Sequence, residues 1–296
     1  MEIILTAKVK ITPTEKQQTL LQHTLQAYRK GCNYVSEVIY TTKNLVQARL
    51  HTATYRPLRE QFGLRSQMAQ SVMKTAIARY KSTIENGHEW TKVTFMKAEL
   101  DLVWNRDYSL VRGVVSVNTL AGRIKVPFAT KKMEHFFDGT WAFGTAKTVH
   151  KHGKFFLHIP MTKSTLESQW EHIKEIVGVD MGVNFLLSVY DSHGQAWSIK
   201  GRRAHYKQLR RHLQPRQTPS ARQRPKQIGQ RETRGMTDVN HQISKALVER
   251  YGAHTLFVLE ELTGVRGATE KVQKRHRYEF VSWAYYQLRQ IAYKAA

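Results

Sequence analysis

The chain carries one cysteine, Cys32, and only 23 acidic residues in 296. A single thiol excludes an internal disulfide and any cysteine-rich zinc site, and it fits a reducing compartment. Set against 47 lysines and arginines, the scarce acids leave a formal charge of +24. Such an excess says little about fold but selects a polyanionic partner, with nucleic acid the first choice. Long apolar runs are missing too: nothing approaches the roughly 20 consecutive apolar residues that span a bilayer. Residues Met1 to Ile11 alternate apolar and polar side chains where a signal peptide would show a continuous apolar block. A soluble cytoplasmic protein without a membrane partner is expected. With 41% hydrophobic residues the chain can bury a real core, and its length suits two domains or one large one.

What is present centres on KEIVGVDMG, Lys174 to Gly182. Its apolar run is too short for a helix and ends on Asp180, followed by Met181 and then Gly182, which lets the backbone turn; this reads as a buried strand delivering a carboxylate. TLFVLEEL, Thr255 to Leu262, repeats the design with Glu260 and Glu261. Carboxylates converging from rigid strands are what phosphodiester chemistry on two divalent cations requires, Mg²⁺ above all, because the metals must stand about 3.5–4 Å apart to hold both reacting oxygens. Strand-end acids that simply face water would give the same spacing.

In the amino-terminal half, Ile3, Leu5, Ala7, Val9 and Ile11 occupy alternate positions of a strand with one buried face. Thr12-Pro13-Thr14-Glu15 reads as a helix start with Thr12 as cap and Glu15 completing a capping box. Leu21, Leu25, Tyr28, Cys32 and Val35 then recur at helical spacing. The stretch from Leu58 to Ile84 is helical as well, with Ser66 as cap and Ala69, Val72, Met73, Ala76, Tyr80 and Ile84 facing inward. After Gly87 the texture changes to short β-rich runs: Val93–Phe95, Val114–Val117, Ile124–Val126, Trp141–Phe143 and Phe155–Ile159, punctuated by glycines. These suggest a small barrel. Its first strand needs partners that come only after the helices, so the helical part, about 13–85, is an insertion into the barrel. Aromatics beside cations, as in Trp104-Asn105-Arg106, suit either base stacking or the core.

A polar stretch near 165–172 marks the boundary between a first domain, 1–170, and a second, 171–296. Beyond Gly182, Phe185–Tyr190 and Gln195–Ile199 give two more strands around a turn at Asp191-Ser192-His193-Gly194. The most basic part of the chain follows. Lys200, Arg202, Arg203, Lys207, Arg210, Arg211, Arg216, Arg222, Arg224, Lys226, Arg231 and Arg234 face a single acid, Glu232, before Asp238. Such a run repels itself unless a polyanion neutralises it, and it is a candidate nucleic-acid-binding surface. A solvated linker around Pro215, Pro219 and Pro225 is the other reading. Asp238–Tyr251 reads as a helix leading into the strand that bears Glu260, and an amphipathic helix is expected from about Tyr278 onward.

Three strands, a helix and a further strand with a second acid is the order of an RNase H-like fold. The segments IVGVDMGVNFLLSVYDSHG, GRRAHYKQLRRHLQ and RETRGMTDVNHQISKALVERYGAHTLFVLEELTG resemble the RuvC nuclease core of TnpB, the RNA-guided nuclease of bacterial and archaeal insertion sequences. SWAYYQLRQIAYKA continues the likeness, and ITPTEKQQTLLQHTLQAYRKGCN, PLREQFGLRSQMAQS and FGTAK extend it to the amino-terminal half. The resemblance implies an α+β, α/β architecture: a wedge β-barrel with an inserted helical recognition lobe, then a RuvC domain. It further implies a structured guide RNA, a double-stranded DNA target cleaved next to a short motif, and a prokaryotic, nucleoid-associated setting. Asp180 matches the family's first catalytic and metal-binding acid, and Glu260 rather than Glu261 matches the second.

The pattern departs from the family after that helix. There the family has a zinc ribbon of two Cys-x-x-Cys pairs and a third catalytic aspartate, whereas here the acids beyond Glu261 are Glu270 and Glu279 and no zinc is expected. The RuvC domain is therefore expected to be truncated. Two functions follow: a transposon-encoded, RNA-guided DNA endonuclease, or a nuclease-deficient nucleic-acid-binding protein derived from one. Poor cleavage is the expectation, since two carboxylates hold one Mg²⁺ and a second ion needs another ligand.

Overall fold

The computed structural model describes residues 2–111, 113–129, 133–164, 173–182, 185–200, 203–252 and 254–260. Two compact units divide at Thr165 and Leu166. In the first, strand β1 (Glu2–Ile11) leads to helices α1 (Glu15–Thr42), α2 (Gln47–Glu60) and α3 (Ser66–Glu85). Seven strands follow: β2 (Glu99–Leu102), β3 (Tyr108–Val111), β4 (Val114–Thr119), β5 (Gly122–Ala129), β6 (Ala142–Phe143), β7 (Ala146–Lys151) and β8 (Lys154–Ser164). They form one sheet in the order β2-β7-β8-β1-β5-β4-β3, with β6 also on β8. The edge strands β2 and β3 are consecutive in the chain and joined only by residues 103–107, so the two edges are held close and the sheet rolls into a nearly closed barrel. The helices are thus inserted between the first barrel strand and the rest.

One core serves helices and barrel together. Leu21, Leu25, Val35 and Ile39 of α1, Met68, Val72 and Met73 of α3, and Val9, Leu100, Val117, Leu157 and Ile159 of the strands belong to a single buried cluster. Polar bonds fix the join: Asp101 on β2 accepts from Thr75 on α3 at 2.5 Å and from Tyr28 on α1 at 3.3 Å, and Lys147 on β7 lies 3.6 Å away. Burial, followed by the charge of Asp101, raises the Tyr28 hydroxyl pKa well above its ordinary value and does the same to the Cys32 thiol.

The first helix starts two residues later than Thr12 suggested. Thr14 caps it, accepting from the Gln17 amide at 3.4 Å while Gln17 Oε1 accepts from the Thr14 amide at 3.0 Å. The Thr12 amide is already used, donating to Pro127 of β5 at 2.9 Å, so the strand pairing runs past Ile11 and displaces the cap. The helical stretch 58–84 belongs to two helices, broken where Gly63 adopts φ +64°, and Arg65 rather than Ser66 sits at the cap of α3. Ile84 does not face inward with the rest of the stripe: it stands in the last turn of α3 and is 48% exposed. Val93–Phe95 is not a strand, because side chains take its backbone groups: Phe95 N–H donates to Asn33 Oδ1 at 2.8 Å and Val93 N–H to Tyr80 Oη at 3.2 Å.

The second unit holds β9 (Glu175–Asp180), β10 (Phe185–Asp191), β11 (Ala196–Lys200), α4 (Arg203–Leu213), α5 (Pro219–Tyr251) and β12 (Thr255–Leu259). The sheet order is β11-β10-β9-β12, antiparallel except for β12, which lies parallel to β9. Val177, Val179, Leu187 and Val189 pack one face onto Met236, Ile243 and Leu247 of α5. The register irregularity between Phe185 and Leu187 lets consecutive Leu186 and Leu187 both be buried.

The basic run is not a linker in this structure. Thr218 caps α5, with its side chain accepting from the Ala221 amide at 3.2 Å. Pro219 stands in the first turn, where its missing N–H costs nothing, and Pro225 forgoes a single backbone bond inside the helix. Among the described residues, no helix is long and apolar enough to cross a membrane. The helix expected from Tyr278 and the residue Glu261 lie outside the described residues.

Candidate active site and nucleic-acid interface

Asp180 is the last residue of β9, and β12 runs beside that strand in parallel register, with Leu259 opposite Val179. Glu260 is the next residue on its strand, as Asp180 is on the other, so the two carboxylates occupy neighbouring positions at the carboxyl ends of adjacent strands. Strands that pair in this way lie about 4.8 Å apart. Side chains alternate along each strand: Val177, Val179, Phe257 and Leu259 point into the α5 side, which turns Asp180 and Glu260 to the opposite face, where both are exposed. That face also carries Ser188, opposite Asp180, and Tyr190, opposite Gly178. A cavity of about 470 Å³ is lined by Gly178, Asp180, Ser188, Tyr190, Ala196 and Glu260, among others.

A side chain at Gly182 would bring its Cβ to 3.1 Å from the Phe185 carbonyl oxygen, a crowded approach that favours glycine there. Two exposed carboxylates are hard oxygen donors and fit Mg²⁺, which needs only one or two acids. Among the described residues, no group of three or more His, Cys, Asp or Glu side chains is placed to hold a metal.

A second acid of the sheet has a structural duty. Asp191 accepts from the amides of His193 at 3.1 Å and Gln195 at 2.8 Å, and from Tyr251 Oη at 3.3 Å. Desolvation opposes its charge, yet the backbone bonds from Gln195 and His193 prevail and hold its pKa below the ordinary carboxylate value. Trp197 Nε1 donates to the same tyrosine at 3.0 Å, tying the β10–β11 hairpin to the end of α5.

Most of the candidate nucleic-acid-binding residues fall on α4 and α5. Arg211, Arg216, Arg222, Arg224, Arg231 and Arg234 are exposed. Arg210 is different: its Nη2 donates to Glu232 Oε2 at 2.8 Å, an ion pair only 28% and 10% exposed at its two side chains. Arg202 and the side chains of Lys200, Arg203, Lys207 and Lys226 lie outside the described residues. A groove of about 930 Å³ in the first unit was not legible in the sequence; Lys74, Arg79, Lys97 and Arg106 line it, together with Lys147, which is paired to the lining acids Glu99 at 3.2 Å and Asp101 at 3.6 Å. Those cations are scattered singly along the chain, and only the folding of α3 against the barrel gathers them.

No family model matches the chain, and no curated protein matches it at the level of sequence. Solved structures do. The chain superposes on Cas12f1, solved as a complex with sgRNA and target DNA, with a TM-score of 0.61 at 8% identity over 99% of this chain and 87% of that one. The fold is Cas12f-like. A CRISPR–Cas12f ternary complex also aligns, with a TM-score of 0.42 at 9% identity over 94% of this chain and 70% of that one. The Cas12f-like fold accounts for an inserted helical lobe, a barrel and a mixed sheet in this order along one chain.

Proposed function

We propose that this chain is an RNA-guided DNA-binding protein of the TnpB and Cas12f kind, transposon-encoded, whose Asp180 and Glu260 hold Mg²⁺ for phosphodiester cleavage. The observation that carries the reading is the parallel register of β9 and β12, which sets the two carboxylates side by side on an exposed face. A guide RNA and a double-stranded DNA target as partners are supported by the +24 charge and by the likeness in fold to a protein solved with sgRNA and target DNA. The exposed arginines of α4 and α5 supply phosphate contacts, and the groove of Lys74, Arg79, Lys97 and Arg106 supplies more. A bound Mg²⁺ supplies charge neutralisation at the phosphodiester and polarisation of the attacking water. Asp180 and Glu260 would fix its position.

A second reading is guided binding without cleavage, supported by the +24 charge and the exposed arginines of α4 and α5, which make nucleic-acid contacts available without any use of Asp180 and Glu260. The deciding experiment is a cleavage assay with co-purified RNA, Mg²⁺ and matched DNA, run beside Asp180→Ala. Guide-dependent cutting lost in the variant establishes the nuclease. Guide-dependent binding without cutting establishes the second reading, and no guide-dependent binding by either chain overturns both.

A further inference from the structure

Helices α4 and α5 enclose a cavity of about 700 Å³, and each contributes one face to it. On α4 that face is His205, Leu209, His212 and Leu213; on α5 it is Ala221, Arg224, Ile228 and Arg231, spaced at three, seven and ten residues. The floor is apolar. Ala221 and Ile228 are buried, while Leu209 remains 36% exposed and Tyr206 half-buried. Tyr206 is held against α5, its hydroxyl 3.3 Å from where a Cβ on Gly235 would stand. The rim is cationic: Arg216, Arg224 and Arg231 line it and are exposed.

Two features set this cavity apart from a simple phosphate-binding face. Glu232 is the only acid between Lys200 and Thr237, and it is taken by Arg210, so the segment supplies no other carboxylate to neutralise the rim arginines. A face that touched phosphates alone would also have no use for an open aliphatic floor with a tyrosine beside it. Nucleotides present both chemistries at once, a planar apolar base and an anionic backbone, and a cavity of this size is in the range that takes a small-molecule ligand. We propose that the α4–α5 cavity receives one unpaired nucleotide, its base on Leu209, Leu213, Ile228 and Tyr206 and its flanking phosphates on Arg216, Arg224 and Arg231. The inference rests on the proposed binding of nucleic acid by these helices and adds a preference for an unstacked base. An unpaired base enters at little cost, whereas a paired one must first be pulled from its stack.

The test compares, with the full chain, the affinity for an RNA duplex carrying one unpaired 2-aminopurine and for the same duplex fully paired, at several salt concentrations. Parallel DNA duplexes form a second arm. The unpaired nucleotide is expected to tighten binding about fivefold or more, the usual size of one base stacked on a protein. Ser220→Trp, which fills the cavity from an exposed position, and Leu209→Ala, which removes part of the floor, should each abolish that increment and keep the affinity for the paired duplex. Arg222→Ala, on α5 but outside the cavity, should weaken both duplexes alike. A gain confined to RNA assigns the nucleotide to a guide, a gain confined to DNA assigns it to a target strand, and a gain in both supports the cavity for either source. No gain in the unmodified chain, or a gain untouched by Ser220→Trp and Leu209→Ala, overturns the cavity while leaving salt-dependent binding intact. Affinity for every duplex that ignores salt would instead overturn the wider binding reading and the cavity with it.

Discussion

Glu232 of α5 accepts a hydrogen bond from Arg210 Nη2 of α4 at 2.8 Å, and this pair joins the two helices that carry the exposed Arg211, Arg222, Arg224, Arg231 and Arg234. The carboxylate is nearly buried, so its removal takes this ion pair from a largely buried guanidinium. Glu232→Ala should destabilise the second unit by roughly 3 kcal/mol, whereas the double change Arg210→Met with Glu232→Leu should cost much less. Urea unfolding of the single and double variants measures the difference.

Exposed arginines act through counterion release. If 6 to 10 of the cations on α4 and α5 engage phosphates, affinity for RNA should fall about 10³- to 10⁵-fold between 50 and 200 mM salt. Replacing Arg211, Arg216, Arg222 and Arg224 by alanine should flatten the slope of log affinity against log salt by roughly 3 to 4. Fluorescence anisotropy at four or more salt concentrations reads the slope directly.

Asp191 ties stability to pH. Its folded-state pKa lies below the unfolded value, so the unfolded chain takes up the proton first. The stabilisation is therefore complete above about pH 5, falls as the pH drops through the unfolded carboxylate value near 4, and is gone below the folded value. Asp191→Asn should remove this part of the acid dependence and weaken the turn at all pH values. Thermal melts between pH 3 and 7 for both chains provide the check.

Close packing of the helical lobe predicts a fourth outcome. A Cβ on Gly31 would stand 2.9 Å from Leu64 Cδ1 and 3.1 Å from Leu58 Cδ2, both fully buried. Gly31→Ala gains helix propensity, yet overpacking should prevail and destabilise the first unit by about 1–3 kcal/mol. The reverse result, a higher melting temperature, would mean that the leucines can move aside.

Much of this molecule can be read from its residues. The alternation of Ile3 to Ile11 gives the first strand, and the short apolar runs ending in Asp180 and Glu260 give two strands of the second sheet, because a period of two and an abrupt end are local signals. Their parallel register is not local, and it follows from the β9-to-β12 connection through α5. The cap of α1 moved from Thr12 to Thr14 because a distant strand claimed the Thr12 amide. Arg210 reads in the sequence like its neighbours, and only the approach of Glu232, 22 residues away, separates it from them. The groove of Lys74, Arg79, Lys97 and Arg106 likewise exists only once α3 lies on the barrel.

Strand β1 pairs along its whole length with β8, from Glu2 opposite Ser164 to Ile11 opposite Phe155. The first strand of this unit must therefore wait for its last one, across some 150 residues of chain. Such a contact is slow to form, since loop closure precedes any reward. Nascent chains that stop short of Ser164 lack the strand that pairs with β1 along its whole length. Closure of the barrel thus waits until Ser164 has been made, and the helices, rich in local contacts, have time to form before it.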